Sequence, residues 1–246
     1  LSRYIDIIRT REREVGKLIE FLSRKSNNFT KPKLIMVGGY GLRAFIPFSR
    51  TTRDCDFVLK KGNGWHLDQI KRWLPKDISI ETEERRDDYG YLRCIKTLKI
   101  DKKSAKVSLD FMEGRVLSRP KDRIVIINDK FVESSKKVKI LVGRKEQEIY
   151  VPSYLDYLIL KIVSARPTDV RDVATLVWKN DIPEEIKQRI GEVLPYPYVF
   201  QENLRKAIIP VISDKRFLHS WRGTFVTTEF TEETKSEVIN ELKRLL

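Results

Sequence analysis

Two cysteines in 246 residues, Cys55 and Cys94, leave little room for thiol chemistry. Neither sits in a CxxC pair, no histidine cluster lies near them, and the chain's two histidines, His66 and His219, are far apart. A zinc site and a disulfide framework therefore lack their ligand sets. Each thiol reads as a small buried hydrophobe. Long apolar runs are missing too, and none approaches the roughly 18 residues that would span a bilayer. The stretch "LSRYIDIIRTREREVGKLIEFL" is charged throughout and lacks the uninterrupted apolar core of a signal peptide. These absences lead us to expect a soluble, cytoplasmic protein with no membrane partner.

Charge, by contrast, is plentiful. Lys and Arg total 49 against 35 Asp and Glu, a net charge of +14. Charged residues make up 34% of the chain, above the roughly 25% of ordinary soluble domains. Surface ion-pair networks of the thermophile kind use many charges of both signs, but they do not account for the imbalance. Part of the basic excess is expected to serve a polyanion through steering and counterion release.

Apolar residues recur at helical spacing over residues 3–24. "KPKLIMVGG" reads as a short strand ending in glycines, and "YGLRAFIPF" as a short helix stopped near Pro47. "DCDFVL" is a strand, "WHLDQIKRWL" a helix. "ISIETEE", "YGYLRCIKTLKI" and "AKVSLDFMEG" follow as strands, the last two joined by the turn "DKKS". "DRIVIIND" and "KKVKILVG" add further β segments. After about Tyr150, "SYLDYLILKIVSA", "DVRDVATLVWKN", "PEEIKQRIGEVL", "YVFQENLRKAIIPVI" and "TKSEVINELKRLL" fit a helical period, the last with Thr234 and Glu237 as a capping box. The expectation is an α+β protein: a mixed-sheet catalytic domain over 1–148 with flanking helices, then a helical domain over 149–246.

On a strand, residues two apart share a face, so Asp54 and Asp56 project together about 7 Å apart while Cys55 and Phe57 point to the core. Carboxylates this close repel unless cations hold them. Magnesium suits the task, since it takes oxygen ligands from one or two carboxylates and substrate phosphates. Asp110, in "KVSLDFMEG", supplies a third acid on a later strand. Gly38 and Gly39 end the preceding strand, where the lack of a side chain lets backbone N–H groups approach phosphate oxygens.

The set "VGG…RTTRDCDFVL…VSLDF" resembles the nucleotidyltransferase superfamily with the polymerase-β-like fold. The approach to the first aspartate through Arg50, Thr51, Thr52 and Arg53 is most similar to the AbiEii-type toxin nucleotidyltransferases of abortive-infection and toxin–antitoxin systems. A further family motif matches Lys161, Arg166, Arg171 and Asp172 in "LKIVSARPTDVRDVATL", although Thr175 stands where many relatives have a second aspartate. The resemblance covers about residues 34–180. It implies two Mg²⁺ (or Mn²⁺) ions held by Asp54, Asp56 and Asp110, with Asp110 helping to deprotonate the attacking hydroxyl. Gly38, Gly39, Arg50, Thr52, Arg53 and Lys161 would bind the NTP. Lys161 would meet phosphate, and Asp172 would orient it or the nucleotide. An antitoxin protein is implied as a partner.

The reaction so implied moves a nucleoside monophosphate from an NTP to a hydroxyl, releasing pyrophosphate. The acceptor is expected to be RNA, with a tRNA 3′ end the leading candidate and a protein side chain the alternative. A non-catalytic nucleic-acid or partner-binding module on the same fold is the rival. The three acids argue against it, because without metal they would weaken phosphate binding. Adenylylation of a small cationic antibiotic fits poorly with the basic excess. Charges on a helical stripe ordinarily face water, which is the competing account of Lys161 and Asp172. Arg50 and Arg53 could equally flank the strand. His66, His219, the "YPY" at 196–198 and the four tryptophans read as structural.

Overall fold

A computed structural model describes residues 2–46, 50–100, 103–118 and 122–246, so Pro47 and the Asp101–Lys102 turn lie outside the described residues. The architecture is α+β. The chain forms two compact units, one of Leu1–Ala44, Thr51–Val116 and Ile127–Pro152, the other of Phe45–Arg50, Leu117–Ile126 and Ser153–Leu246.

The strands are β1 (Ile35–Val37), β2 (Asp54–Leu59), β3 (Ile78–Arg86), β4 (Tyr89–Ile100), β5 (Lys103–Glu113), β6 (Arg115–Leu117), β7 (Ile124–Ile126), β8 (Lys136–Val142) and β9 (Lys145–Val151). The first unit is built on a mixed sheet in the order β3-β4-β5-β2-β1-β9-β8, while β6 and β7 pair as a separate ribbon. Strands β2 and β5 run parallel, as do β1 and β9, and the other neighbours are antiparallel.

Alternation gives this sheet one apolar face. Cys55 and Phe57 of β2, Leu92, Cys94 and Leu98 of β4, and Leu109 and Phe111 of β5 are all buried. Phe57 stacks between Phe29 and Phe111, with centroids 6.2 and 5.6 Å away. Helix α1 (Ser2–Lys25) buries Val15, Leu18, Ile19 and Leu22, and its Glu14 meets Lys96 of β4 at 2.5 Å. The short helix α2 (Gly38–Gly41) follows β1 directly. Helix α3 (His66–Trp73) has no side-chain cap of its own. Instead the fully buried Glu113, at the end of β5, accepts the N–H groups of His66 and Leu67 at 3.0 and 3.1 Å. A carboxylate there also answers the positive end of the helix dipole.

Helix α4 (Asp129–Ser134) is a further element, capped by Asn128, whose side chain accepts the Phe131 N–H at 2.9 Å. One and a half turns are too short to show a period, so the sequence reads through it as strand and connection. The second unit is helical: α5 (Tyr154–Ser164), α6 (Pro167–Lys179), α7 (Ile186–Val193), α8 (Tyr198–Asn203), α9 (Ile209–Ser213), α10 (Phe217–Phe225) and α11 (Glu232–Lys243). A π-turn over Leu204–Ile208 precedes Pro210, whose missing N–H disturbs the regular ladder. Helix α11 starts earlier than its period suggests. Thr231, not Thr234, is the cap, and its hydroxyl accepts the Thr234 N–H at 3.2 Å. Of the four tryptophans only Trp221 is fully buried. It stacks on Phe230 at 4.6 Å and donates its indole N–H to Thr175 at 2.8 Å.

Candidate active site

Strand register brings the acids together. Asp56 lies beside Asp110 and Asp54 beside Ser108 across the parallel β2–β5 pair. Arg93 faces Asp110 across the antiparallel β4–β5 pair. These side chains share the sheet face opposite Cys55, Phe57 and Leu109. A register shift between Ile80 and Thr82 makes a bulge of Glu81 on β3. Glu81 Oε2 then lies 3.0 Å from Arg93 Nε.

Each carboxylate has its own neighbourhood. Asp54 Oδ1 accepts the Ser108 hydroxyl at 2.5 Å. Asp110 Oδ2 accepts the Tyr91 hydroxyl at 3.1 Å and an Arg93 N–H at 3.4 Å. The remaining oxygen, Asp110 Oδ1, is buried without a hydrogen-bond partner. Burial pushes the Asp110 carboxyl up to about 6, with the charges of Asp54 and Glu81 acting in the same direction against Arg93 and Tyr91. Asp56 lies against the glycines. A Cβ on Gly38, which has φ +65°, would fall 1.8 Å from Asp56 Oδ2. One on Gly39 would fall 2.9 Å from the Thr52 Cβ. The glycine pair is therefore what lets the acid and the threonine approach this backbone. Arg53 is exposed, and its carbonyl accepts the Ser108 N–H at 3.3 Å.

Three carboxylates, one of them with an orphaned buried oxygen, form a donor set of the hard, oxygen-only kind that magnesium and manganese take. In chemistry the residues fit such an ion. Among the described residues, however, no group of three or more acidic, histidine or cysteine side chains converges as a cation site in this conformation. Asp54 is turned to Ser108, Asp110 to Tyr91 and Arg93, and Asp56 to the glycines.

The other expected residues lie in the second unit. Lys161 and Asp172 are not on a solvated face; they are 3% and 0% exposed. Lys161 Nζ donates to Asp169 Oδ1 and Asp172 Oδ2, both at 2.8 Å. Arg50 grips Asp172 through two parallel bonds of 2.8 and 2.9 Å. Arg166 donates to Asp169 at 2.6 Å, and its backbone N–H uses the same carboxylate as a helix cap. Burial alone would raise both carboxyls, but the surrounding cations hold them below the ordinary range. Burial would likewise lower Lys161, yet the two aspartates hold it above its ordinary value.

Several members of these clusters escape a reading by motif. Asp169 stands three residues before Asp172, on the same side of α6, whereas the departure noted from family pattern falls three residues after it, at Thr175. Thr175 is buried, taking the Trp221 indole and donating to the Arg171 carbonyl at 2.8 Å. Ser108 had a usable signal, being two residues before Asp110 on one strand. Arg93 and Glu81 had none, since only register places them. Arg171, by contrast, donates to Ser220 at 2.9 Å, outside the acid cluster.

The profile of the nucleotidyl transferase AbiEii toxin family, of type IV toxin–antitoxin systems, matches residues 20–228. The chain belongs to that family. It is a nucleotidyltransferase. The family implies an NTP substrate and, in general terms, a divalent metal. No functionally curated protein matches the chain. Among solved structures, it is similar to JHP933 from Helicobacter pylori, at 12% identity and a TM-score of 0.45 over 92% of both chains. A second H. pylori structure, a nucleotidyltransferase candidate, matches at 12% identity and a TM-score of 0.43, over 92% of this chain and 95% of that one. Neither likeness bears on the chemistry. No described helix is long and apolar enough to cross a membrane.

Proposed function

We propose that this AbiEii-family enzyme transfers a nucleoside monophosphate from an NTP to a hydroxyl of RNA, using Asp54, Asp56 and Asp110 as its metal-binding acids. Residues 1–148 would form the catalytic domain and 149–246 the helical one. The observation that carries the proposal is the register Asp56–Asp110 and Asp54–Ser108, which sets three carboxylates on neighbouring strands of one face.

Two divalent ions, when bound, would neutralise the triphosphate and stabilise the attacking and leaving oxygens. Asp54 and Asp56 would hold both ions, and Asp110 would complete the site nearer the acceptor. The acceptor oxygen attacks the α-phosphorus, the bond from that phosphorus to the bridging oxygen breaks, and pyrophosphate leaves. Asp110 would take the hydroxyl proton as general base. Gly38 and Gly39, packed against Asp56 and Thr52, would contact the triphosphate, with Thr52 and Arg53 at its edge. Arg50, Lys161 and Asp172 would act as a rigid set within the second unit.

RNA as acceptor is supported by the net charge of +14 and by what continues the acidic face. Two and four residues before Ser108 on β5 stand Lys106 and Ser104, opposite Thr97 and Lys99 of β4. All four are exposed. This polar, basic strip suits backbone phosphates better than a neutral small molecule. An antitoxin is the expected protein partner, by family membership. The test is incubation with each labelled NTP, Mg²⁺ or Mn²⁺ and total RNA, with Asp54→Ala as control. Label on RNA that the control lacks is the expected outcome. Label on protein instead would move the acceptor to a side chain, and no transfer with any NTP would overturn the reading.

A further inference from the structure

Arg93 is the cation the carboxylate cluster already has. Its Nη1 lies 3.4 Å from Asp110 Oδ2, its Nη2 3.7 Å from Asp54 Oδ1, and its Nε 3.0 Å from Glu81 Oε2. Around it stand Asp54, Asp110 and Glu81, with Asp56 beside Asp110 in register, and Lys106 also approaches Glu81, at 3.8 Å. The hold is loose. Two of the three approaches are long, and Nε is buried without an aligned hydrogen bond even at 3.0 Å from Glu81. Arg50 provides the contrast, with two short parallel bonds to a single carboxylate. A guanidinium gripped that way is structural, whereas one held by charge at a distance, with a side chain 34% exposed, can leave.

We propose that Arg93 is a displaceable counter-cation of the acid cluster: it sits between Asp54 and Asp110 until a divalent ion takes those oxygens, and it then withdraws toward Glu81. The two cations exclude one another, because like charges a few ångströms apart repel and they compete for the same oxygens. Arg93 thereby sets how tightly the enzyme holds metal before nucleotide arrives, acting as a positioning residue for the acids. The inference rests on assigning these acids to metal binding.

The test is Mn²⁺ binding to the full chain without nucleotide, followed by the electron paramagnetic resonance signal of free Mn²⁺. Arg93→Gln should bind Mn²⁺ roughly tenfold more tightly than the parent, the order expected when one nearby positive charge is removed. Arg93→Lys should stay near the parent, and Asp54→Asn should bind more weakly. In metal-free buffer Arg93→Gln should melt below the parent and gain more from added Mn²⁺. Should Arg93→Gln not fold, the parent itself decides: its Arg93 guanidinium ¹⁵N resonances should shift on saturation with Mg²⁺. Unchanged or weaker Mn²⁺ binding by Arg93→Gln, or resonances that do not move, would overturn the exchange. So would Arg93→Lys behaving like Arg93→Gln, since charge would then not be what competes. Parent binding that Asp54→Asn abolishes but Arg93→Gln leaves unaltered removes only the role of Arg93. Absence of Mn²⁺ binding in parent and Arg93→Gln alike removes the metal assignment with it.

Discussion

Replacing Lys161 with alanine separates two accounts of the family's helical motif. Lys161 is 3% exposed and its ammonium is shared between Asp169 and Asp172 at 2.8 Å each. Its removal leaves two buried carboxylates with Arg166 and Arg50 as the cations the structure places on them. Breaking a buried ion pair on one side costs about 3–5 kcal/mol, because the surviving charge stays buried and undercompensated. For a chain of this size each kcal/mol lowers the melting temperature by about 2–4 °C. The expected loss is therefore about 10 °C, read by scanning calorimetry or near-UV circular dichroism. Lys161→Met, which keeps the stem packing, should recover little of it. Catalysis should fall mainly in the temperature range where the variant unfolds, with KM for NTP near the parent value well below it. A melting temperature within about 2 °C of the parent, with kcat/KM reduced, would refute the structural account and make Lys161 a direct phosphate ligand.

Asp54→Ala and Asp56→Ala should each abolish nucleotidyl transfer while keeping the parent circular dichroism spectrum; wild-type turnover in either would remove the metal assignment. Gly38→Ala should abolish transfer as well, because its Cβ would meet Asp56 Oδ2 at 1.8 Å and a left-handed backbone with a side chain costs about 1–3 kcal/mol. A fully active Gly38→Ala enzyme would show that Asp56 is free to leave the glycines. Stability should fall in acid through Asp169 and Asp172, whose folded carboxyls are held below the ordinary range. Their contribution is complete above the unfolded value of about 4 and is lost as the pH drops through the folded ones. Lys161, held above its ordinary value, contributes fully below about 10.5 and loses that only in stronger base. Urea titrations of parent and Asp169→Asn between pH 3 and pH 7 check the acid limb, which should be flatter in the variant.

What was legible in the sequence was local. The alternation in "DCDFVL" places Asp54 and Asp56 on one face because a strand's period is two, whatever pairs with it. The 3.6 period likewise marks α1, α5, α6 and α11, and the change of character near Tyr150 separates sheet from helices. Strand order was not legible, for nothing in β2 says that β5 and β1 will flank it. Helices α4 and α10 were also missed. The first is held by an asparagine cap and one buried phenylalanine, and the second by packing of Phe217, Trp221 and Phe225 in its own unit. The first is too short to show a period; the second carries Phe217, Trp221 and Phe225 at i, i+4 and i+8, a signal that could have been read. The burial of Lys161 was hidden too. A lysine on an amphipathic helix looks solvated until Asp169, Asp172 and their own partners are seen to surround it.

The site shows the same division at the level of single side chains. Arg50 and Arg93 are identical residues facing aspartates, and no motif or propensity ranks one above the other. Arg50 meets Asp172 with the planar fork of its guanidinium matched to both carboxylate oxygens, in a place from which water is excluded. Breaking that contact would leave a nearly buried guanidinium unpaired and Asp172 with Lys161 as its remaining cation among the described contacts, so it should persist through any reaction cycle. Arg93 reaches Asp110 through one long hydrogen bond of 3.4 Å and Asp54 only by charge at 3.7 Å. On the exchange proposed above, displacing it costs little, since each acid it leaves would be met by another cation. Function in this chain therefore depends less on which residues are charged than on which charges are locked. The locked set lies in the helical unit, and the loosely held one lies on the acidic face of the sheet.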